Sequence, residues 1–212
     1  ASAPFLLAAL AADDPHPWLF VLPGSDDAET AAEDLATLIG ARTHAFPAWE
    51  GLPGESLGID PGIFSRRLAA LADLARPGGP PPVIVASAPA VLQPVLSREE
   101  VVRHTLSLRV GQTIPREDLL RRLVEWEMER SASVEFAGEF AVRGYLVDLF
   151  PHGLPQPVRL EFYGDVIESI RVFDLTTQVS QSTLQEISVP VLPRTRFFAT
   201  SWDKDCVTLL DH

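Results

Sequence analysis

Hydrophobic periodicity changes once along this chain, near His104, and the change sets two separate folding problems. Upstream, short apolar runs of strand length alternate with longer segments whose apolar residues recur every three to four positions. Downstream, after one helical segment, apolar and polar residues alternate strictly between two-residue turn signals. The first pattern specifies a parallel sheet covered by helices, because parallel strands need crossovers that pack on the sheet faces. The second specifies an antiparallel α+β arrangement. The expected fold class is therefore α/β: a parallel-sheet domain followed by a smaller α+β antiparallel-sheet domain.

Upstream, residues 5–11 read as a helix and 18–22 as a buried strand. Residues 26–39 read as a helix in which Asp26 and Glu29 suit a capping box, and 43–46 as a short strand. Asp60 and Pro61 form an N-cap and first-turn pair, opening a helix with Phe64, Leu68, Leu71 and Leu74 on its buried stripe. A proline-rich turn, 76–82, ends it; 83–86 is a third apolar strand and 88–96 a further short helix. Beyond His104, 106–110 is a strand and 115–126 a helix with Leu119, Leu120, Leu123 and Val124 inward, and 134–189 is a series of hairpin-linked strands. After Leu192-Pro193-Arg194, residues 203–210 suit the start of another helix. The expected domains are 1–103, 104–193 and the beginning of a third at 194–212.

The downstream strands present a distinctive outer face. Successive strand side chains point to opposite sides, so Val158, Leu160 and Phe162 share one face and Arg159, Glu161 and Tyr163 the other. The first set belongs in a core, which turns the second outward, with Arg159 and Tyr163 roughly 13 Å apart. Gly164-Asp165 is a hairpin signal, and 166–173 runs back as the next strand. In Gly138-Glu139-Phe140-Ala141-Val142-Arg143-Gly144, Arg143 joins the same surface if the strands are neighbours. Two readings stand here. Arg and Glu on a wet sheet face are ordinary cross-strand pairs, whereas exposed Arg and Tyr together are the residue types of a binding hot spot. On the second reading, Arg159→Glu abolishes docking without disturbing thermal unfolding.

Composition narrows the partner. A hydrophobic content of 46% supports a real core, and a net charge of −12 argues against unaided binding to DNA or RNA, which depends on neutralising phosphates. Cys206 is the only cysteine, so no internal disulfide forms, and five scattered histidines show no zinc spacing. The apolar start is shorter than a membrane span and lacks the basic flank of a signal peptide. A reducing cytoplasm fits. The chain begins at Ala1 and its sole methionine is Met128, so it reads as a piece of something longer.

Searches for catalytic chemistry come back negative. A phosphate loop requires Gly-Lys-Ser/Thr, and the only lysine, Lys204, precedes Asp205. Gly54-Glu55-Ser56-Leu57-Gly58 matches the nucleophile-elbow pattern but lacks a strand before it and a helix directly after it. His44, His104 and His152 have no partner constellation in the spacing. Trp49 and Glu50, in Phe46-Pro47-Ala48-Trp49-Glu50-Gly51-Leu52-Pro53, read either as a surface anchor or as loop residues packed on their own domain.

That last segment, with Asp60-Pro61, Arg67-Leu68-Ala69-Ala70-Leu71, the 138–174 stretch and Thr177-Gln178, resembles the amino-terminal module of the bacterial transcription-repair coupling factor family (Mfd), along nearly the whole chain. That module is itself similar to the excision-repair protein UvrB, which retains a phosphate loop and a long aromatic hairpin that this chain lacks. Ala1-Ser2-Ala3 stands where UvrB would carry its lysine and threonine. The resemblance implies a degenerate RecA-like domain 1A, an inserted domain 2 and the start of domain 1B. It also implies recruitment of UvrA through domain 2, with Arg143, Arg159 and Tyr163 as the contacts. Tyr163 replaces a common phenylalanine, and Tyr145 stands where the family commonly has a small residue. Further implications are that the fragment is no enzyme and holds no cofactor or metal. ATP and Mg, RNA polymerase and double-stranded DNA belong to downstream parts of the parent, whose C-terminal domain is an intramolecular partner, and the docking face is masked until activation. Two alternatives remain open: the amino-terminal part of a UvrB-type helicase, and an autoinhibitory clamp.

Overall fold

The structure, a computed structural model, describes residues 3–12, 14–40, 42–50, 60–76, 78, 81–191 and 207–211. They fall into two compact units, Ala1–Arg103 with Thr195–His212, and His104–Arg194. The Gly54–Gly58 pattern lies outside the described residues. Within the last segment, Val207 makes an antiparallel bridge to Val95 and Leu209–Asp211 forms a 3-10 turn, so the described part of the expected 203–210 helix is not α-helical.

The first unit runs α1 (Ala3–Ala11), β1 (Trp18–Leu22), α2 (Ser25–Ile39), β2 (Thr43–Phe46), α3 (Pro61–Ala75), β3 (Val83–Ser87), α4 (Ala88–Leu92) and α5 (Arg98–Arg103). Its strands form a parallel sheet in the order β1-β3-β2. All five residues of the central β3 are buried, which requires cover on both faces. On one face Val83 and Val85 pack with Leu7, Ala8, Ala28, Ala31, Ala32 and Leu35 of α1 and α2. No helix among the described residues is long and apolar enough to cross a membrane.

Local chemistry explains the helix ends. Asp60 caps α3 by accepting from the Ile63 amide at 2.8 Å, with Pro61 in the first turn. The capping box expected at Asp26 and Glu29 does not form: α2 starts one residue earlier, with Gly24 at the cap and no side-chain cap bond, and Glu29 pairs with Arg66. The helix expected over 88–96 stops at Leu92. Gln93, held extended before Pro94, cannot continue it, and α5 starts afresh at Arg98.

α3 also buries two charges that its apolar stripe conceals. The Arg67 guanidinium is fully buried, 4.1 Å from the Phe46 ring centroid and 4.7 Å from that of Trp49. Its Nη1 donates to the Pro47 carbonyl at 2.8 Å and to Gln93 Oε1 at 3.2 Å. Burial, with no carboxylate partner among the described residues, lowers its pKa to about 9. Trp49 therefore packs on its own domain. Asp73 accepts from Arg42 Nε at 2.9 Å and lies 3.0 Å from His44 Nε2, tying α3 to β2.

The second unit contains β4 (Thr105–Arg109), α6 (Arg116–Glu125), β5 (Glu129–Arg130), β6 (Glu139–Arg143), β7 (Leu146–Phe150), β8 (Val158–Tyr163), β9 (Val166–Phe173), β10 (Ser180–Leu184) and β11 (Glu186–Pro190). Six strands form one sheet in the order β10-β9-β8-β7-β6-β5, antiparallel except for the β5–β6 pair, while β4 pairs with β11 separately. Gly164, at φ 60°, takes the left-handed position that the β8–β9 hairpin requires. The α6 face is narrower than expected: Leu119 and Leu123 are buried, Leu120 is half-buried and Val124 is exposed. At ~100° per residue, Val124 lies about 120° from the centre of a stripe between Leu119 and Leu123, and so outside it. The core joins those two leucines to Phe140, Val147, Leu149, Val158, Leu160, Phe162, Ile167 and Ile170.

Burial pushes the Asp73 carboxyl up, but hydrogen bonds from His44 and Arg42 outweigh it and hold the pKa at about 2. The unfolded chain then binds this proton more readily, so the stabilisation is present above about pH 4 and is lost as pH falls towards 2. Asp73→Asn is expected to cost about 2 kcal/mol at pH 7. Urea titrations at pH 7 and pH 3 should show that difference shrinking in acid.

Candidate protein-docking face

Pairing register places the charged residues. Across four adjacent strands Ala141, Asp148, Arg159 and Arg171 stand in line, and two residues along the strands Arg143, Leu146, Glu161 and Ser169 form the next row. Both rows lie on one face, opposite the core residues Val142, Val147, Leu160 and Ile170, because strand side chains alternate. Arg143 thus reaches the surface occupied by Arg159.

At the centre of that face Asp148 is almost fully buried, with 1% of its surface exposed. Arg159 grips it with a fork, Nε donating to Oδ1 at 2.6 Å and Nη2 to Oδ2 at 2.9 Å. Arg143 Nη2 donates to the same Oδ2 at 2.5 Å. Charge-assisted bonds of this bidentate kind combine strength with fixed geometry. The Asp148 hydrogen bond raises the Arg159 pKa above its ordinary value, against a burial effect that lowers it.

A second small cluster holds the outer side of Arg159. Phe173 packs with Val134 and Ala141, flanked by Phe150 and Leu175. The Arg159 guanidinium lies 4.7 Å from the Phe173 ring centroid and donates from Nη1 to the Gln178 carbonyl at 3.3 Å. Gln178 sits at φ 58°, beside a turn in which the Thr177 amide and hydroxyl both donate to Asp174 Oδ1, at 2.8 and 2.9 Å. A non-glycine residue in this region needs support from its surroundings, and Gln178 Nε2 supplies some by donating to the Leu175 carbonyl at 2.9 Å.

The three expected contacts consequently differ in kind. Tyr163, at the end of β8, is 80% exposed. The Arg143 side chain is 45% exposed and tethered through one nitrogen. Arg159 retains only 14% exposure, which corrects the expectation of two arginines facing water. Alternation chooses the sheet face for a side chain but is silent on whether later chain covers that face; here Phe173 and the 174–179 turn do. The plain cross-strand reading describes Glu161, which accepts from Arg171 at 2.7 Å and from Ser169 at 2.9 Å. In these pairs Arg143 and Arg159 meet Asp148 and Arg171 meets Glu161, while Glu139, on the same face of β6, adds a third carboxylate.

Sequence reasoning passed over Asp148, Phe173 and Gln178. The available signal was an aspartate within the apolar strand Leu146-Val147-Asp148-Leu149-Phe150. Tyr145, also exposed, occupies the β6–β7 turn, where its carbonyl accepts from the Phe162 amide at 2.9 Å. Arg116 ties both hairpin tips to the start of α6, donating from Nη1 to the Gly144 carbonyl at 2.6 Å and from its amide to Asp165 at 3.2 Å. Among the described residues no cluster of His, Cys, Asp or Glu is arranged to hold a metal ion.

Residues 106–197 match the family described as the UvrB interaction domain. The chain is 36% identical over 192 residues to the transcription-repair-coupling factor of Mycobacterium tuberculosis, covering 88% of this chain and 15% of that protein. Against the protein of the same description from Myxococcus xanthus it is 36% identical over 180 residues, covering 82% and 15%. For Escherichia coli the values are 31% over 193 residues, 91% and 16%. The chain thus spans about 15% of the length of these relatives.

The geometry predicts that Arg159→Glu destabilises the fold itself, since it sets a second carboxylate against buried Asp148. A loss of about 3–5 kcal/mol is expected, read as a lowered urea midpoint with an unchanged slope.

Proposed function

This chain is homologous to the amino-terminal part of the transcription-repair-coupling factors and carries a UvrB interaction domain; from that premise we propose that it is a protein-binding adaptor that recruits UvrA in the cytoplasm. The second unit supplies the docking surface, with Arg143 and Tyr163 as contacts and Arg159 behind them. The observation that carries this reading is an exposed phenol at the end of β8 and a tethered, half-exposed guanidinium at the end of β6, on one sheet. A large amphipathic ring and a pre-ordered arginine are the side chains that dominate protein interfaces.

On this reading the adaptor needs no ATP, Mg or metal. Translocation along double-stranded DNA, ATP hydrolysis and release of stalled RNA polymerase are functions of the remainder of a longer parent. The docking face is masked within that parent until repair begins, and its C-terminal domain is an intramolecular partner. With no Gly-Lys-Ser/Thr in this sequence and a net charge of −12, the sequence favours neither nucleotide hydrolysis nor unaided DNA binding.

Titration calorimetry of the chain with UvrA tests the reading. Tyr163→Ala is expected to weaken binding by about 2 kcal/mol, the range of a hot-spot aromatic, with its thermal midpoint unchanged, and Arg143→Ala by about 1–2 kcal/mol. If both variants bound as tightly as the wild type, the docking face would lie elsewhere. The chain alone should hydrolyse no ATP above a buffer blank.

A further inference from the structure

We propose that Asp148 is the positioning residue of this face: it converts Arg159 into a strut and presents Arg143 as the single docking cation, matched to a carboxylate on the partner that lies beside an apolar group covering Tyr163. This rests on the UvrA-docking reading and specifies the chemistry of the contact.

Donor occupancy distinguishes the two arginines. Arg159 commits Nε and Nη2 to Asp148 and Nη1 to Gln178, with one face of the guanidinium over the Phe173 ring. Only 14% of its side chain remains exposed, so little of it can reach a partner. Arg143 commits one nitrogen, Nη2, and its other N–H groups stay available on a side chain that is 45% exposed. A guanidinium has five donors in a rigid fork. Holding one edge on a buried carboxylate orients the opposite edge, and that edge suits bidentate capture of a second carboxylate.

Charge sets the partner's sign. Asp148 neutralises one of the two arginines it touches, so the pair retains one net positive charge, and an acidic side chain balances it. A polyanion would require several phosphate contacts, and this chain is strongly acidic elsewhere. Pre-ordering also matters, because an arginine free in solution must lose rotamer freedom on binding and a tethered one has lost much of it already.

The test is a double-mutant cycle on UvrA affinity using the whole 212-residue chain: wild type, Asp148→Asn, Arg143→Ala and the double variant. Asp148→Asn and Arg143→Ala are each expected to weaken binding about tenfold, and the double variant to be within about twofold of Arg143→Ala alone. Asp148→Asn with no effect, or with the same cost in both backgrounds, overturns the proposal, because a purely structural role would not depend on Arg143. Asp148→Asn leaves Arg159 buried and unpaired, so Asp148→Asn/Arg159→Gln, which removes the whole ion pair, provides a second arm. It should fold and show the same tenfold loss; wild-type affinity would overturn the proposal.

A measurement without UvrA separates this proposal from the reading beneath it. The Arg143 Nε–H resonance of the free chain should be ordered in the wild type and mobile in Asp148→Asn. Equal mobility in the two overturns the positioning role even where Tyr163→Ala abolishes docking. Failure of the wild-type chain to bind UvrA, with Arg143 ordered, overturns the docking assignment instead.

Discussion

A carboxylate buried in the outer layer of a sheet is intolerable without partners, and much of the second unit is arranged around the one that Asp148 places there. Taking such a charge out of water costs several kcal/mol unless good geometry compensates. The compensation comes from the strands on either side, Arg143 from β6 and Arg159 from β8, and it works because β7 lies between them. Arg159 then needs cover of its own, from Phe173 and from the Gln178 carbonyl. A face that begins as polar decoration on a sheet thereby acquires a fixed centre and an open margin formed by Arg143, Tyr145 and Tyr163.

The first unit buries a guanidinium by a different route. Arg67 has two aromatic faces, two prolyl carbonyls and the Gln93 amide oxygen for partners, and burial brings its pKa to about 9, so it still carries its charge at neutral pH. Neutral dipoles and π-clouds can hold a cation that is weakly hydrated to begin with. The result is a tie between α3, the loop after β2 and the turn after α4. Arg159 instead spends its charge on a counter-ion, and the neighbouring Arg143 keeps the surplus. Of the two arrangements, the second leaves a partly exposed guanidinium at the surface.

Much of this was legible from residue order. The strands at 18–22, 43–46 and 166–173 follow from their apolar pattern and length, and the Asp60 cap and the hairpin at Gly164 depend on near neighbours in the chain, which local pattern records directly. The misreadings have physical causes as well. Val124 matched the helical period but fell outside the stripe, and Asp26 with Glu29 matched a cap spacing while Gly24 took the cap. Pro94 interrupted a segment whose apolar content alone suggested a longer helix.

What residue order determined by itself was the pair of sheet types, the face on which each of Arg143, Arg159 and Tyr163 emerges, and the absence of a phosphate loop; period and side-chain chemistry suffice for these. Tertiary structure alone decided that Arg159 is covered and Arg143 is not, and that both share Asp148. Those facts depend on which strands lie side by side and on where the 174–179 turn settles, and contacts between residues far apart in sequence leave no periodic trace in it.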